Sequence, residues 1–188
     1  MDLTLEITGT SPMLQHNIQL ADPGHPIVKE IATYTSKRKK TDEDRQAIEK
    51  FEWFGGLYVE DGRIVVPTAN IRRCLIEAGK ISRQGTQISR AVQFSELYVR
   101  LAYDGPQDPK ELFNRPEFTN RAAVGISGKR TMRVRPCFPR WALVTQVSVI
   151  DSLMDADDLR RVADLAGRAI GLGDNRVNGY GRFTSSLI

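Results

Sequence analysis

Between positions 171 and 183 the chain reads Gly-Leu-Gly-Asp-Asn-Arg-Val-Asn-Gly-Tyr-Gly-Arg-Phe. Glycines at 171, 173, 179 and 181 give the backbone access to positive φ and let a second chain approach its amides closely. Arg176 and Arg182 add permanent charge, Asn178 adds hydrogen bonding and Tyr180 a ring for stacking. With Gly171, Gly173 and Gly179, these side chains suit a phosphate backbone better than an apolar pocket. The pattern is not that of a nucleotide loop: no Gly-Lys-Ser/Thr follows, and the glycines come after a predicted helix, where a dinucleotide fingerprint needs a strand. Taken alone, the segment also reads as a helix C-cap at Gly171 followed by a tight turn.

Basic residues cluster elsewhere too. From Phe118 to Ile150 the chain has no acidic residue, while Arg121, Lys129, Arg130, Arg133, Arg135 and Arg140 are all cationic. A second run, Lys37-Arg38-Lys39-Lys40, is followed by Asp42, Glu43 and Asp44 and reads equally as a solvated loop ahead of a helix. Arg72 and Arg73 fall near the start of a predicted helix, where they oppose the macrodipole; a docked anion or simple exposure accounts for them. The candidate nucleic-acid contacts are therefore Lys37, Arg38, Arg72, Arg73, Arg121, Lys129, Arg130, Arg133, Arg135, Gly171, Gly173, Arg176, Asn178, Gly179, Tyr180 and Arg182. For catalysis only Asp22, His16 and His25 are weak candidates, because no lysine or tyrosine partner is fixed by spacing. No catalytic residue, metal site or cofactor is assigned, and Cys74 and Cys137 read as reduced thiols.

A chain of 188 residues has room for a real core, and its net charge of +4 is modest. No apolar run is long enough for a membrane span and no secretory signal opens the chain, so a cytoplasmic setting is expected. Leu3, Leu5 and Ile7 alternate with polar residues as in a half-buried strand. Residues 10 to 40, with three prolines and both histidines, read as an irregular excursion. Thr41 and Asp44 resemble a capping box before a short helix, with Arg45 and Glu49 placed to pair along it. Strands from Gly56 to Glu60 and from Arg63 to Val66 flank Asp61-Gly62, a hairpin signal, and Pro67 opens a helix with Ile71, Leu75 and Ala78 on one face.

A strand follows over 92–102, with Leu97, Val99 and Leu101 inward and Glu96, Tyr98 and Arg100 outward. A projecting β-hairpin around Ser127-Gly128-Lys129-Arg130 comes next, then a strand over 141–150, a helix capped by Asp155 and a last strand over 182–187. The core order is βαββαβ, an α+β, ferredoxin-like or RRM-like arrangement in one domain over 1–188, with insertions at about 10–66 and 103–139. Its open sheet face would carry Thr4, Glu6, Thr8, Glu96, Tyr98, Arg100, Gln146 and Ser148, too few aromatics for RRM-type base stacking.

In its core order and in Gly171 to Gly181, the chain resembles the RAMP superfamily, the CRISPR repeat-associated proteins that form effector backbones. Val65-Val66-Pro67-Thr68-Ala69-Asn70-Ile71-Arg72 is similar to the family's proline-led helix start after a short hairpin, although the usual Gly-Ser-Ser-x-x-Gly pattern is missing. The resemblance implies a modified RRM core and a thumb-like hairpin in the middle insertion that reaches a neighbouring subunit and kinks guide RNA, while the missing pattern and the length of 188 residues point to a compact, phage-borne or otherwise divergent member. Some members are ribonucleases that use histidines, or an acidic residue with a metal, in the loop after the first strand, where His16, Asp22 and His25 lie. Three functions stay open. The first is a non-catalytic single-stranded nucleic-acid binder, RNA ahead of DNA, that assembles head to tail with its own copies. The others are an endoribonuclease of the same fold and a structural protein with an acidic protein partner.

Overall fold

The alternation at the start of the sequence becomes β1 (Asp2–Gly9), which buries Leu5 and Ile7. The computed structural model describes residues 1–126 and 129–188, without the side chains of Ile126 and Lys129. After β2 (Met13–Leu14) and a 3-10 turn at Ile18–Ala21 comes α1 (Pro26–Thr35), so the irregular excursion through residues 10 to 40 is corrected. His25 caps α1, its Nδ1 accepting from the Ile27 N–H, and Pro26 sits in the first turn, where a missing donor costs nothing. α2 (Asp42–Gly56) begins with the reciprocal Thr41–Asp44 capping box; Arg45 pairs with Asp42 and not with Glu49.

Gly56, expected in a strand, ends α2, and the hairpin proper is β3 (Val59–Glu60) and β4 (Arg63–Pro67). Asp61 and Gly62 both have positive φ, 48° and 72°, as the Asp-Gly turn predicts. α3 (Thr68–Ile81) buries Ile71, Leu75 and Ala78, and α4 (Gly85–Ala91) follows. The single strand expected over 92–102 is three pieces: β5 (Val92–Phe94), β6 (Tyr98–Arg100) and β7 (Ala102–Tyr103). The chain continues through α5 (Pro109–Phe113), β8 (Thr119–Ile126), β9 (Lys129–Phe138), β10 (Trp141–Val149), α6 (Ala156–Leu165) with a π-helical extension at Ala166–Ile170, and β11 (Phe183–Leu187). Ser127 and Gly128, the expected hairpin turn, lie outside the described residues.

The chain forms two compact units, the first from Met1–Met13, Val59–Asp104 and Pro139–Ile188, the second from Leu14–Tyr58 and Gly105–Phe138. In the first, an antiparallel sheet runs in the order β11-β1-β10-β5, with β7 also paired to β10. Leu5, Ile7, Leu143, Val147 and Leu187 are buried in it, and so are Leu159, Val162 and Ala163 of α6, whose cap is the Asp155 carboxylate on the Asp158 N–H at 2.7 Å. The other face is polar: Gln146 bonds Thr4, Ser148 bonds Asp2 and Ser186 bonds Glu6. Glu96, Tyr98 and Arg100 do not join that face, because β6 pairs with β4 in a separate sheet. The Thr68 hydroxyl holds the turn ahead of β6 by donating to the Glu96 carbonyl at 2.7 Å, and Leu97, expected inward, is 80% exposed.

Both segments of the second unit fall within the stretches read as insertions. α2 packs on α1 and on β9, which pairs with β8 from Thr119↔Pro136 to Ile126↔Lys129. Trp53 is fully buried, its indole N–H donating to the Phe118 carbonyl at 2.9 Å and its ring set edge-on to Phe54 and Phe113.

Candidate nucleic-acid interface

The 171–182 loop of the first unit has a clamped base and an open apex. At the base, the Leu172 N–H donates to the Gly181 carbonyl at 2.9 Å and the Gly181 N–H to the Pro12 carbonyl at 2.8 Å. The Ser11 hydroxyl donates to the Gly179 carbonyl at 2.8 Å and accepts from the Arg182 N–H at 2.9 Å. Gly181 has φ of 71°, and a Cβ there would lie 1.7 Å from the Leu172 carbonyl oxygen, so no other residue fits. The apex is a 3-10 turn, Arg176–Asn178, between Asn175 and Gly179, both with positive φ. Val177 is 93% exposed there, Asn178 and Gly179 are exposed too, and a Cβ on Gly179 would meet nothing within 4 Å. Gly179 is thus required by its φ of 86° alone; its N–H bonds the Arg176 carbonyl at 3.0 Å and its carbonyl the Ser11 hydroxyl, while the space at its Cα stays open to an approaching chain.

α3 buttresses the loop. Glu77 accepts from Arg176 of the loop at 2.9 Å and from Arg73, one turn back, at 2.8 Å. Burial raises the Glu77 pKa, but hydrogen bonds from Arg73 and Arg176 and their charges outweigh that and hold its carboxyl below the usual range. The Cys74 thiol donates to the Gly171 carbonyl at 3.2 Å, and burial pushes it up to about 12, so it stays protonated and unreactive. Arg182 bonds the Arg176 carbonyl through Nη2 at 3.2 Å, and its Nη1 is buried without a partner among the described residues. Asn178 bonds the Asn175 side chain at 2.7 Å, and Tyr180 is half-buried. Arg72 is directed inward, bonding the Ser89 carbonyl and, at 3.4 Å, the Val92 carbonyl; it fastens α4 to α3, which explains an arginine in that position without a docked anion.

The remaining candidates belong to the second unit. Lys37 bonds Asp44 and lies over the Tyr34 ring, and its bond is the main cause that lowers the Asp44 pKa; Arg38 is exposed. Arg121 pairs with Glu49 and Arg133 with Glu52, while Arg135 is buried and Arg130 exposed. The Lys129 side chain lies outside the described residues. Of the catalytic candidates, His25 is spent as a helix cap, Asp22 accepts the Gly24 N–H at 2.8 Å in a turn, and His16 is exposed. Among the described residues no group of three or more His, Cys, Asp and Glu side chains could hold a metal, and no helix is long and apolar enough to cross a membrane.

Sequence reasoning missed Ser11, Pro12 and Glu77. Ser11 contacts residues 168 and 171 positions away, for which no local signal exists. The Arg73–Glu77 spacing of four was visible, but nothing in it pointed to Arg176.

No protein-family profile and no curated protein matches the chain. Among solved structures, a chain from the cryo-EM structure of the type III-B Cmr-beta bound to cognate target RNA is similar over 100% of this chain, with 10% identity and a TM-score of 0.50. This chain spans 60% of that one's length. The crystal structure of Cmr6 from Pyrococcus furiosus aligns with 99% of this chain and 98% of its own at 11% identity, with a TM-score of 0.36. The likeness to the Cmr-beta chain is one of fold alone, and the mixture of helices and antiparallel sheets is consistent with an α+β class.

Proposed function

We propose that this chain is a non-catalytic backbone protein that binds single-stranded nucleic acid, RNA ahead of DNA, at the apex of the 171–182 loop. The observation that carries this is the division of the loop, with Val177, Asn178 and Gly179 presented to solvent on a base fastened to Ser11, Pro12 and Glu77. The first unit then serves as a βαββαβ, RRM-like core made of β1, α3, β5, β10, α6 and β11, and its sheet order supports that assignment. Its open face of hydroxyls, amides and carboxylates has nothing to stack bases on, so the loop does the binding. The likeness to a chain from a structure bound to cognate target RNA supports the same class of ligand. Head-to-tail assembly is part of the proposal: the β8–β9 hairpin exposes Met132, 51% accessible, beside Arg130, a surface for the next copy. The ribonuclease alternative loses support because His25 and Asp22 are engaged in local structure. An acidic protein partner would have to displace Glu49 and Glu52 from the hairpin arginines.

The test is binding of labelled single-stranded RNA and DNA across a salt series, with Gly179→Val and Gly62→Val compared. Both glycines have positive φ and open space around a Cβ, so both variants lose a similar stability, about 1–2 kcal/mol. Only Gly179→Val should lose binding. In the wild type, n phosphate contacts give a log–log salt slope of about −0.7n. No binding of either nucleic acid at low salt would overturn the function, and equal binding by the two variants would overturn the site.

A further inference from the structure

Beyond the loop, the end of α3 borders an open surface cavity of about 380 Å³ lined by Ile76, Lys80, Arg83, Gly85, Thr86 and Ser89, with Lys80, Arg83 and Thr86 exposed. Two of the lining residues are cations, and among the described residues neither is in an ion pair. Five other arginines of the same unit, Arg73, Arg160, Arg161, Arg168 and Arg176, all are. Those five are compensated, whereas Lys80 and Arg83, like Arg72 and Arg90 of the same helices, have no counter-charge among the described residues.

The backbone adds a second observation. Among the described residues three non-glycine residues have positive φ, Asp61, Asn175 and Arg83. Aspartate and asparagine tolerate that region through short polar side chains; Arg83 takes it as the residue that closes α3, its N–H bonding the Lys80 carbonyl at 3.2 Å while the Gln84 N–H bonds the Gly79 carbonyl at 2.7 Å. Glycine would hold the φ of 62° at this position without the crowding that a Cβ brings. Gly85 contributes by absence: a Cβ there would come 2.8 Å from the Lys80 Cγ, so glycine makes room for the lysine stem on the cavity wall. Thr86 brings a hydroxyl to the same wall, while the Ser89 hydroxyl is already donated to the Thr86 carbonyl at 2.8 Å.

We infer that the α3–α4 cavity is a phosphate site in which Lys80 and Arg83 hold one phosphoryl group between them. A lysine point charge, a guanidinium fork and a hydroxyl are the donor types that phosphate oxygens take. The place fits a strand bound at the loop, since Lys80 lies three residues, about 4.5 Å of helix rise, beyond the Glu77 that ties Arg176. The source of the phosphate, a backbone phosphodiester of that strand or a terminal phosphate, rests on the proposed strand-binding function; the site itself does not.

The experiment uses the double variant Lys80→Gln, Arg83→Gly. Glycine removes the guanidinium and the crowding together, so the variant should fold at least as stably as the wild type. In thermal melts with millimolar inorganic pyrophosphate, the wild type should be stabilised and the variant not. No stabilisation of the wild type, or equal stabilisation of both, overturns the site whether or not the protein binds strands. With single-stranded RNA the variant's log–log salt slope should be shallower by about 0.7, which makes its affinity change about 2.6-fold smaller between 50 and 200 mM salt. The same loss with 5′-hydroxyl and 5′-phosphate strands identifies a phosphodiester, and a loss confined to the 5′-phosphate strand identifies a terminal phosphate. An unchanged slope with both strands overturns the inference for nucleic acid even when pyrophosphate binds.

Discussion

Glu77 is a single carboxylate on which two arginines from different parts of the chain depend. Its folded-state pKa lies below the unfolded value of about 4.5, so its contribution to stability is complete above that pH and is lost as pH falls through the folded pKa. Replacing Glu77 with Gln should cost about 1 kcal/mol at neutral pH, or about 2–4 °C in Tm. The gap between wild type and variant should narrow as pH falls below about 4.5. Melts at descending pH check this, and a gap that does not narrow at all would mean that packing, not charge, ties the loop to α3.

At the scale of elements, α2 supplies the counter-charges for the β8–β9 hairpin. Glu52 accepts from Arg133 at 2.6 Å and from the buried Val134 N–H at 3.2 Å, whereas Glu49 meets the more exposed Arg121. Glu52→Ala strands that N–H and should cost about 1–3 kcal/mol, while Glu49→Ala should cost at most about 1 kcal/mol. Denaturant melts of the two variants give the order; the opposite order would mean that the hairpin is held at its exposed edge. Elements set by local chemistry were legible in the sequence: the Thr41–Asp44 box, the Asp61-Gly62 turn and the stripes of α3 and α6. α1 was hidden because Pro23, Gly24 and Pro26 look like breakers, although a proline in the first turn is a helix start. The division into β5, β6 and β7 was not legible, since it depends on pairing with β4 and on the Thr68 hydroxyl. The loop's place in the chain was readable from its glycines, but the contacts that separate its base from its apex are made with residues 99 to 171 positions away.

Over the whole molecule, the two units differ in how far along the chain their partners lie. In the second unit Trp53 reaches Phe118 over 65 residues and Glu52 reaches Arg133 over 81, whereas in the sheet of the first Thr4 meets Gln146 over 142 and Glu6 meets Ser186 over 180. Closure of longer loops slows folding, so the second unit should form first. Each unit contains one buried tryptophan, Trp53 in the second and Trp141 in the first. In stopped-flow refolding of Trp141→Phe and Trp53→Phe variants, the Trp53 signal should recover ahead of the Trp141 signal. Equal rates would show that the units fold as one.

The pairing of β1 with β10 and β11 also matters while the protein is being made. At roughly 5–20 residues per second, β1 leaves the ribosome roughly 7–28 seconds before β10, with both hydrogen-bonding edges bare. Its apolar side, Leu5 and Ile7, is the kind that recruits other nascent chains. Thr4, Glu6 and Thr8 on its other side put hydroxyls and a charge against that outcome, gatekeepers in an interval that the finished fold no longer records.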